Sequence, residues 1–286
     1  MRRTHRFFIK SNLRYHVDAD AWFLFNIAAS QTPVQRLFNE RLSNNQGLDF
    51  REDKAPDGVT RFHALSAPAG PLEVVYEVEV ERDELDCSVV PPATEATLVS
   101  LPSVAARFLY PSRYCESDKL VRFANMEFGQ FAPGHERVMG ICNWIFNHIV
   151  YLPGTTDSST SAFDCATLRA GVCRDFAHLG IAFCRALGIP ARYASGYAFL
   201  LQPPDYHAFF EVWLEGAWWY YDATRLAPQH GFIRVGSGHD AADTSVATMS
   251  ATAQFVSMEI SVEARSMDRV EYAEGPVTFF PQAPAK

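Results

Sequence analysis

The sequence predicts an α+β protein in two parts. An N-terminal antiparallel β sandwich or barrel over residues 1–95 precedes a unit over residues 96–286 in which helices pack on an antiparallel sheet. Three observations predict this. The first third is rich in β-branched and aromatic residues with a period of two. A helical period takes over in the middle, and strand patterns return from Ala191 onward. A length of 286 residues is at the upper end for one domain and fits two.

Taken in order, "LRYHVDADAWFLFNIAAS" and "LEVVYEVEVERDELDCSVV" read as strands. In the second, Val74, Tyr76, Val78 and Val80 alternate with Val75, Glu77, Glu79 and Glu81, the period of a half-buried strand. Turn-rich pieces, "SNNQG" and "KAPDG", lie between them. "VVPPATEA", residues 89–96, reads as a linker stiffened by Pro91 and Pro92. "CESDKLVRFANMEF" opens a helix with Ser117 as its expected cap, and "HERVMGICNWIFNHIVY" sets Val138, Ile141, Ile145, His148 and Ile149 at helical spacing. From Cys173 the apolar residues Phe176, Leu179, Ile181, Phe183 and Leu187 continue a helix that Gly188 and Pro190 end. "ARYASGYAFL", "HAFFEVWL", "AWWYYDAT" and "QFVSMEISVEA" then read as strands. There is no internal repeat, and "PQAPAK" is the one short biased tail.

Composition narrows the function. The chain is 48% hydrophobic and 20% charged, as in globular proteins with a sizeable core. A net charge of −8 without a basic stretch argues against nucleic acid or an anionic membrane as partner. No apolar run approaches the roughly 18 residues that span a bilayer. The basic start is followed by "FFI" cut by Lys10, which is not a secretory signal, so a cytoplasmic location is expected. The six cysteines, Cys87, Cys115, Cys142, Cys165, Cys173 and Cys184, are then expected to be reduced, and most to be packing residues. They contain no C-x-x-C pair, so a structural zinc site is not expected; no cofactor is expected either.

Cys173 differs from the rest. Gly171 suits a tight entry turn, which puts Cys173 in the first turn of its helix. There the unpaired amides and the positive end of the helix dipole favour a thiolate. Cys184 lies mid-helix without that help. A thiolate nucleophile wants an imidazole partner. His178, five residues along the same helix, points away from Cys173. In "YHAFFEVWL", His207, Phe209, Glu211 and Trp213 share one strand face, and "EGA" turns the chain into "WWYYDAT". With a two-residue Glu215–Gly216 loop, Asp222 lies opposite Phe209 and diagonal to His207, within reach of its ring. A carboxylate there would hold the imidazole's tautomer and support its charge. Each residue has an ordinary structural explanation: a packed thiol, a hydrogen-bonded strand histidine, an aspartate in a turn. Their joint geometry points to a site.

"GVCRDFAHL", "ALGIPARYASGY" and "YHAFFEVWLEGAWWYYDAT" together resemble the bacterial transglutaminase-like enzymes, which are described as candidate cysteine proteases. The resemblance implies a papain-like core, a helix starting at the nucleophile and packed on an antiparallel sheet, with a β domain before it. It implies Cys173 as nucleophile, His207 as base and Asp222 as orienting acid, acting on a peptide or protein substrate through a thioacyl intermediate. "IRVGSGHDAADTS" is also similar to a segment that follows such cores. Phe209 stands where many members carry Trp, and His239 where Arg is frequent. Two other readings compete. A non-catalytic binding or assembly module of the same fold would not need all three residue types. A zinc hydrolase built on His178 and nearby cysteines lacks the ligand spacing.

Overall fold

The structure, a computed structural model, describes residues 3–84 and 93–266. The N-terminal strands are β1 (Arg3–Val17), β2 (Ala21–Phe25), β3 (Gln35–Asn44), β4 (Arg51–Lys54), β5 (Arg61–Ala67) and β6 (Gly70–Glu84). Short α1 (Ser103–Ala106) leads to α2 (Ser117–Phe128), α3 (His135–His148) and the two-residue strand β7 (Val150–Tyr151). Then come α4 (Ala162–Leu168), β8 (Ala170–Gly171), α5 (Cys173–Ala186), β9 (Ala191–Ala198), β10 (Tyr206–Leu214), β11 (Ala217–Tyr221) and β12 (Phe232–Gly238). β13 (Ala247–Met249) and β14 (Ala253–Ser266) close the described chain.

The expected alternation in β6 is realised: Val74, Tyr76, Val78 and Val80 are wholly buried. They and Phe7, Ile9 and Leu13 of β1 pack against Phe23 and Phe25 of β2 and Leu65 of β5. Two open four-stranded sheets, ordered β14–β1–β6–β3 and β13–β2–β5–β4, thus share one core as a sandwich, not a closed barrel. The Ser117 cap is corrected. Ser117 is the first helical residue, Glu116 takes the cap position, and no side chain caps the helix there. The clear cap lies elsewhere, at α4, where Ser161 and Asp164 bond each other's backbone amides.

Part of the expected linker, 89–92, lies outside the described residues. The β unit, however, draws strands from both ends of the chain, because β14 pairs with β1 and β13 with β2. Contiguity in sequence hides such a partner, which sits some 250 residues away from β1.

The second layer centres on α5. One side of it meets α2, α3 and α4. The other meets the sheet ordered β11–β10–β9–β12, through Ala208, Phe210 and Val212 of β10. That sheet is shared with the sandwich. Tyr197, Ile233 and Val235 enter the sandwich core, and Tyr197 Oη donates to the Ile27 carbonyl at 2.7 Å. The Gln35 side chain mimics a strand, donating to Arg234 O at 2.9 Å and accepting from Arg234 N–H at 3.0 Å. Residues 96–286 expressed alone would expose this shared core and leave β13 and β14 without partners. The fragment is expected to be insoluble or to lack cooperative unfolding in urea; a soluble, cooperatively unfolding fragment would contradict this shared core.

Candidate active site

The chain enters α5 through a tight corner. β7 and β8 run parallel, pairing Tyr151 with Gly171, and Val172 then takes an extended backbone at the cap position. Asp175, fully buried, braces the corner: its Oδ2 accepts from the Val172 N–H at 2.9 Å and from Thr156 Oγ1 at 2.6 Å. Gly171 permits this, since a Cβ there would sit 2.7 Å from that of Asp175. Cys173 is the first helical residue, as expected, and is half-buried, whereas Cys115, Cys142, Cys165 and Cys184 are buried. Burial pushes the thiols of Cys115 and Cys165 up to about 12 and those of Cys142 and Cys184 well upward. Cys184 packs in the core beneath the helix.

His207 is the second residue of β10. Its strand returns through a loop of Glu215 (φ 48°) and Gly216 (φ 83°), with Leu214 opposite Ala217. This is the two-residue turn read from the sequence, and positive φ at both positions suits the twist of a hairpin. The same register carries Asp222, one residue beyond β11, to the ring: His207 Nε2 and Asp222 Oδ2 are 2.8 Å apart. Asp222 is itself held, its Oδ1 accepting from the Thr224 N–H at 2.8 Å and hydroxyl at 2.7 Å. His207 is only 1% exposed.

The other ring nitrogen, Nδ1, has no hydrogen-bond partner, and the nearby Cys173 sulfur favours the charged ring. Burial disfavours the imidazolium, but the Asp222 carboxylate and the Cys173 sulfur outweigh it, and the His207 pKa is pushed up to about 10. Because the folded pKa lies above the ordinary value near 6.5, the stability this charge contributes is complete below about pH 6.5 and lost as pH rises through about 10.

The remaining expectations divide. His178 is buried and stacked on Tyr114, with ring centroids 5.2 Å apart. Its Nε2 accepts from the Ala241 N–H at 3.1 Å, and burial lowers its pKa, so it anchors the 240s turn as a neutral ring. His239 pairs with Asp243 at 3.0 Å and Asp240 binds the Tyr114 amide at 3.0 Å, both within that turn. Phe209 stacks on Phe232 at 5.0 Å, and the "AWWYY" aromatics are buried sheet residues. The sequence reading missed Tyr151, paired with Gly171 just ahead of the nucleophile, whose phenol is pushed upward by burial and by the nearby Cys173 sulfur. It also missed Asp205, whose carboxyl is raised by the protein packed around it and feels the His207 charge. A two-residue strand has no period to read, and a loop aspartate has no spacing that ties it to a histidine.

The model of the transglutaminase-like superfamily matches residues 124–223, a span that holds Cys173, His207 and Asp222. A crystal structure of a candidate cysteine protease from Cytophaga hutchinsonii is 37% identical, covers 99% of both chains and superposes with a TM-score of 0.88. The chain belongs to the transglutaminase-like superfamily. An uncharacterized protein of Mycobacterium leprae is 32% identical to this transglutaminase-like chain over 204 residues, 65% of this chain and 70% of that one. An uncharacterized protein of Mycobacterium tuberculosis is 33% identical over 143 residues, 44% of this chain and 45% of that one. Among the described residues, no helix is long and apolar enough to cross a membrane.

Proposed function

We propose that this transglutaminase-like protein is a cysteine acyl-transfer enzyme acting on peptide or amide carbonyls, with Cys173 as nucleophile, His207 as general base and acid, and Asp222 as the orienting carboxylate. The observation that carries the reading is the buried His207 ring. One nitrogen is fixed on Asp222, and the other is left to the half-buried Cys173 at a helix start. His178 is also buried with one nitrogen unpaired; what sets His207 apart is a carboxylate on one side of the ring and the Cys173 thiol as neighbour on the other.

In the proposed reaction the proton of Cys173 resides on His207 Nδ1. The sulfur attacks the carbonyl carbon, forming the S–C bond as the carbonyl pair moves to oxygen. The Cys173 amide at the helix start is aimed at that oxygen. Collapse restores the carbonyl, and the leaving amine takes the proton from His207. Water then releases a carboxylic acid, or a second amine receives the acyl group, with His207 now the base. Asp222 keeps the ring upright through both halves.

The reading is tested with p-nitrophenyl acetate, followed by peptide mapping at acidic pH. A thioester on Cys173 is the expected result. A reactive protein in which Cys173 stays unmodified would overturn it.

A further inference from the structure

Strand β1 turns Phe7, Ile9, Leu13, Tyr15 and Val17 into the sandwich core. Ser11 stands at the same period of two and is also wholly buried. A hydroxyl in an apolar core costs free energy unless it is hydrogen-bonded, so Ser11 needs a partner. Its Oγ lies 3.1 Å from the Oη of Tyr206, the residue directly before His207. Tyr206 Oη lies 2.9 Å from Tyr197 Oη, which donates to the Ile27 carbonyl at 2.7 Å. This chain of hydroxyls has one direction. Burial pushes both phenols upward, so each keeps its single proton. A carbonyl only accepts, so the Tyr197 proton is engaged on Ile27. Tyr206 must then donate to Tyr197, and Ser11 to Tyr206.

The chain ties β10 to the sandwich one step before His207. Tyr206 leaves an exposed loop, residues 202–205, as the first residue of the strand. It pairs with Tyr197 of β9, and both rings pack against the sandwich core. Successive strand residues face opposite ways, so His207 turns away from the sandwich, toward Asp222. Directly opposite His207 stands Gly196, which offers the ring no side chain; a Cβ there would meet the Ile233 carbonyl oxygen at 2.1 Å. The ring's place therefore depends on Asp222, on Phe232 at 5.4 Å, and on the backbone that Tyr206 anchors. We propose that Ser11, Tyr206 and Tyr197 are positioning residues for His207: their hydroxyl chain fixes the start of β10 to the sandwich and so sets the imidazole where it can take the Cys173 proton. This rests on the acyl-transfer reading above. The sandwich is then part of the active-site framework, acting through β10 and not through contact with substrate.

The test uses full-length Tyr197→Phe and Ser11→Ala, each of which loses one oxygen and keeps the surrounding shape. The readout is the rate of iodoacetamide alkylation at Cys173 at pH 6 divided by the rate at pH 8. A thiol with a placed base keeps this ratio near one, whereas an ordinary thiol loses ~10-fold per pH unit. Tyr197→Phe takes the acceptor from Tyr206 and the donor from Ile27, and is expected to lower the ratio by ~10-fold or more. Ser11→Ala removes only the last donor and should lower it in the same direction by less. Ile9→Val is the control: it deletes a buried methyl group from the same strand, and should lower the urea midpoint while leaving the ratio at the parent value. An unchanged ratio in Tyr197→Phe would overturn the proposal and leave the acyl-transfer reading intact. An equal fall in Ile9→Val would also overturn it, and would assign the effect to general loosening of the sandwich. If Tyr197→Phe does not fold, Ser11→Ala decides, and an unchanged ratio there overturns the proposal. A parent ratio no higher than that of His207→Ala would overturn the acyl-transfer reading and this inference together.

Discussion

Substitution of Cys173 by Ala is expected to remove acyl transfer altogether, and His207→Ala to lower it by about 10⁴-fold or more, each leaving the fold intact. Cys173 sits at the helix start, where the loss of one sulfur opens little of the core, and the Asp175 brace on the Val172 amide is untouched. His207→Ala leaves the sulfur in place but removes the group that accepts its proton and later delivers one to the leaving amine. Asp222→Asn is expected to lose less than His207→Ala, because the Thr224 contacts can still hold the side chain while charge support and tautomer control are lost. Rates with p-nitrophenyl acetate and an amide substrate measure these effects. A wild-type rate in Asp222→Asn, together with inactivity in His239→Ala or Asp240→Ala, would contradict the assignment.

The largest effect on stability is expected at Glu211, two strand steps along the same face of β10 from His207. Its carboxylate, wholly buried, pairs with the Arg192 guanidinium and lies 3.3 Å from Arg234 Nε. Arg234 reaches on to Asp57 of the sandwich at 3.7 Å, and Arg192 lies over the Trp218 ring at 4.0 Å. Glu211→Ala removes the anion that two buried cations share, so the loss is the desolvation of those cations more than the value of the pair itself. Breaking such a network costs about 3–5 kcal/mol, a large part of a typical domain's stability. Urea unfolding should show a midpoint lowered accordingly. A change below about 1 kcal/mol would mean that water or relaxation rescues both guanidinium groups.

What the sequence disclosed was local. The helix from Cys173 was legible because Gly171 precedes it and Gly188 and Pro190 follow it, all within one element. The His207–Asp222 pairing was legible because a two-residue turn fixes strand register, and register fixes which side chains meet. What stayed hidden depends on long-range closure. The pairing of β1 with β14 leaves no mark in either segment, and the ion network joins Arg192, Glu211, Arg234 and Asp57 from four separate pieces of chain. β12, quoted in the sequence only as part of a resembling segment, is the edge strand that carries Arg234 into that network. The Ser117 cap failed for the opposite reason: a good local signal was present, but the chain enters the helix one residue earlier, at Glu116.

The central claim is that Cys173 and His207 work as a pair, and the rate of iodoacetamide alkylation between about pH 6 and 8, mapped by residue, tests it most directly. With one nitrogen of His207 fixed on Asp222 and the other unpaired beside Cys173, the ring is placed to take the thiol proton, so the sulfur should stay reactive across the whole interval. The account predicts a nearly flat profile for Cys173, with Cys115, Cys142, Cys165 and Cys184 unmodified in the folded protein. It also predicts that His207→Ala restores the ~10-fold rise per pH unit of an ordinary thiol. A Cys173 rate that already climbs tenfold per unit in the parent protein, or that matches the rate at Cys184, would contradict it.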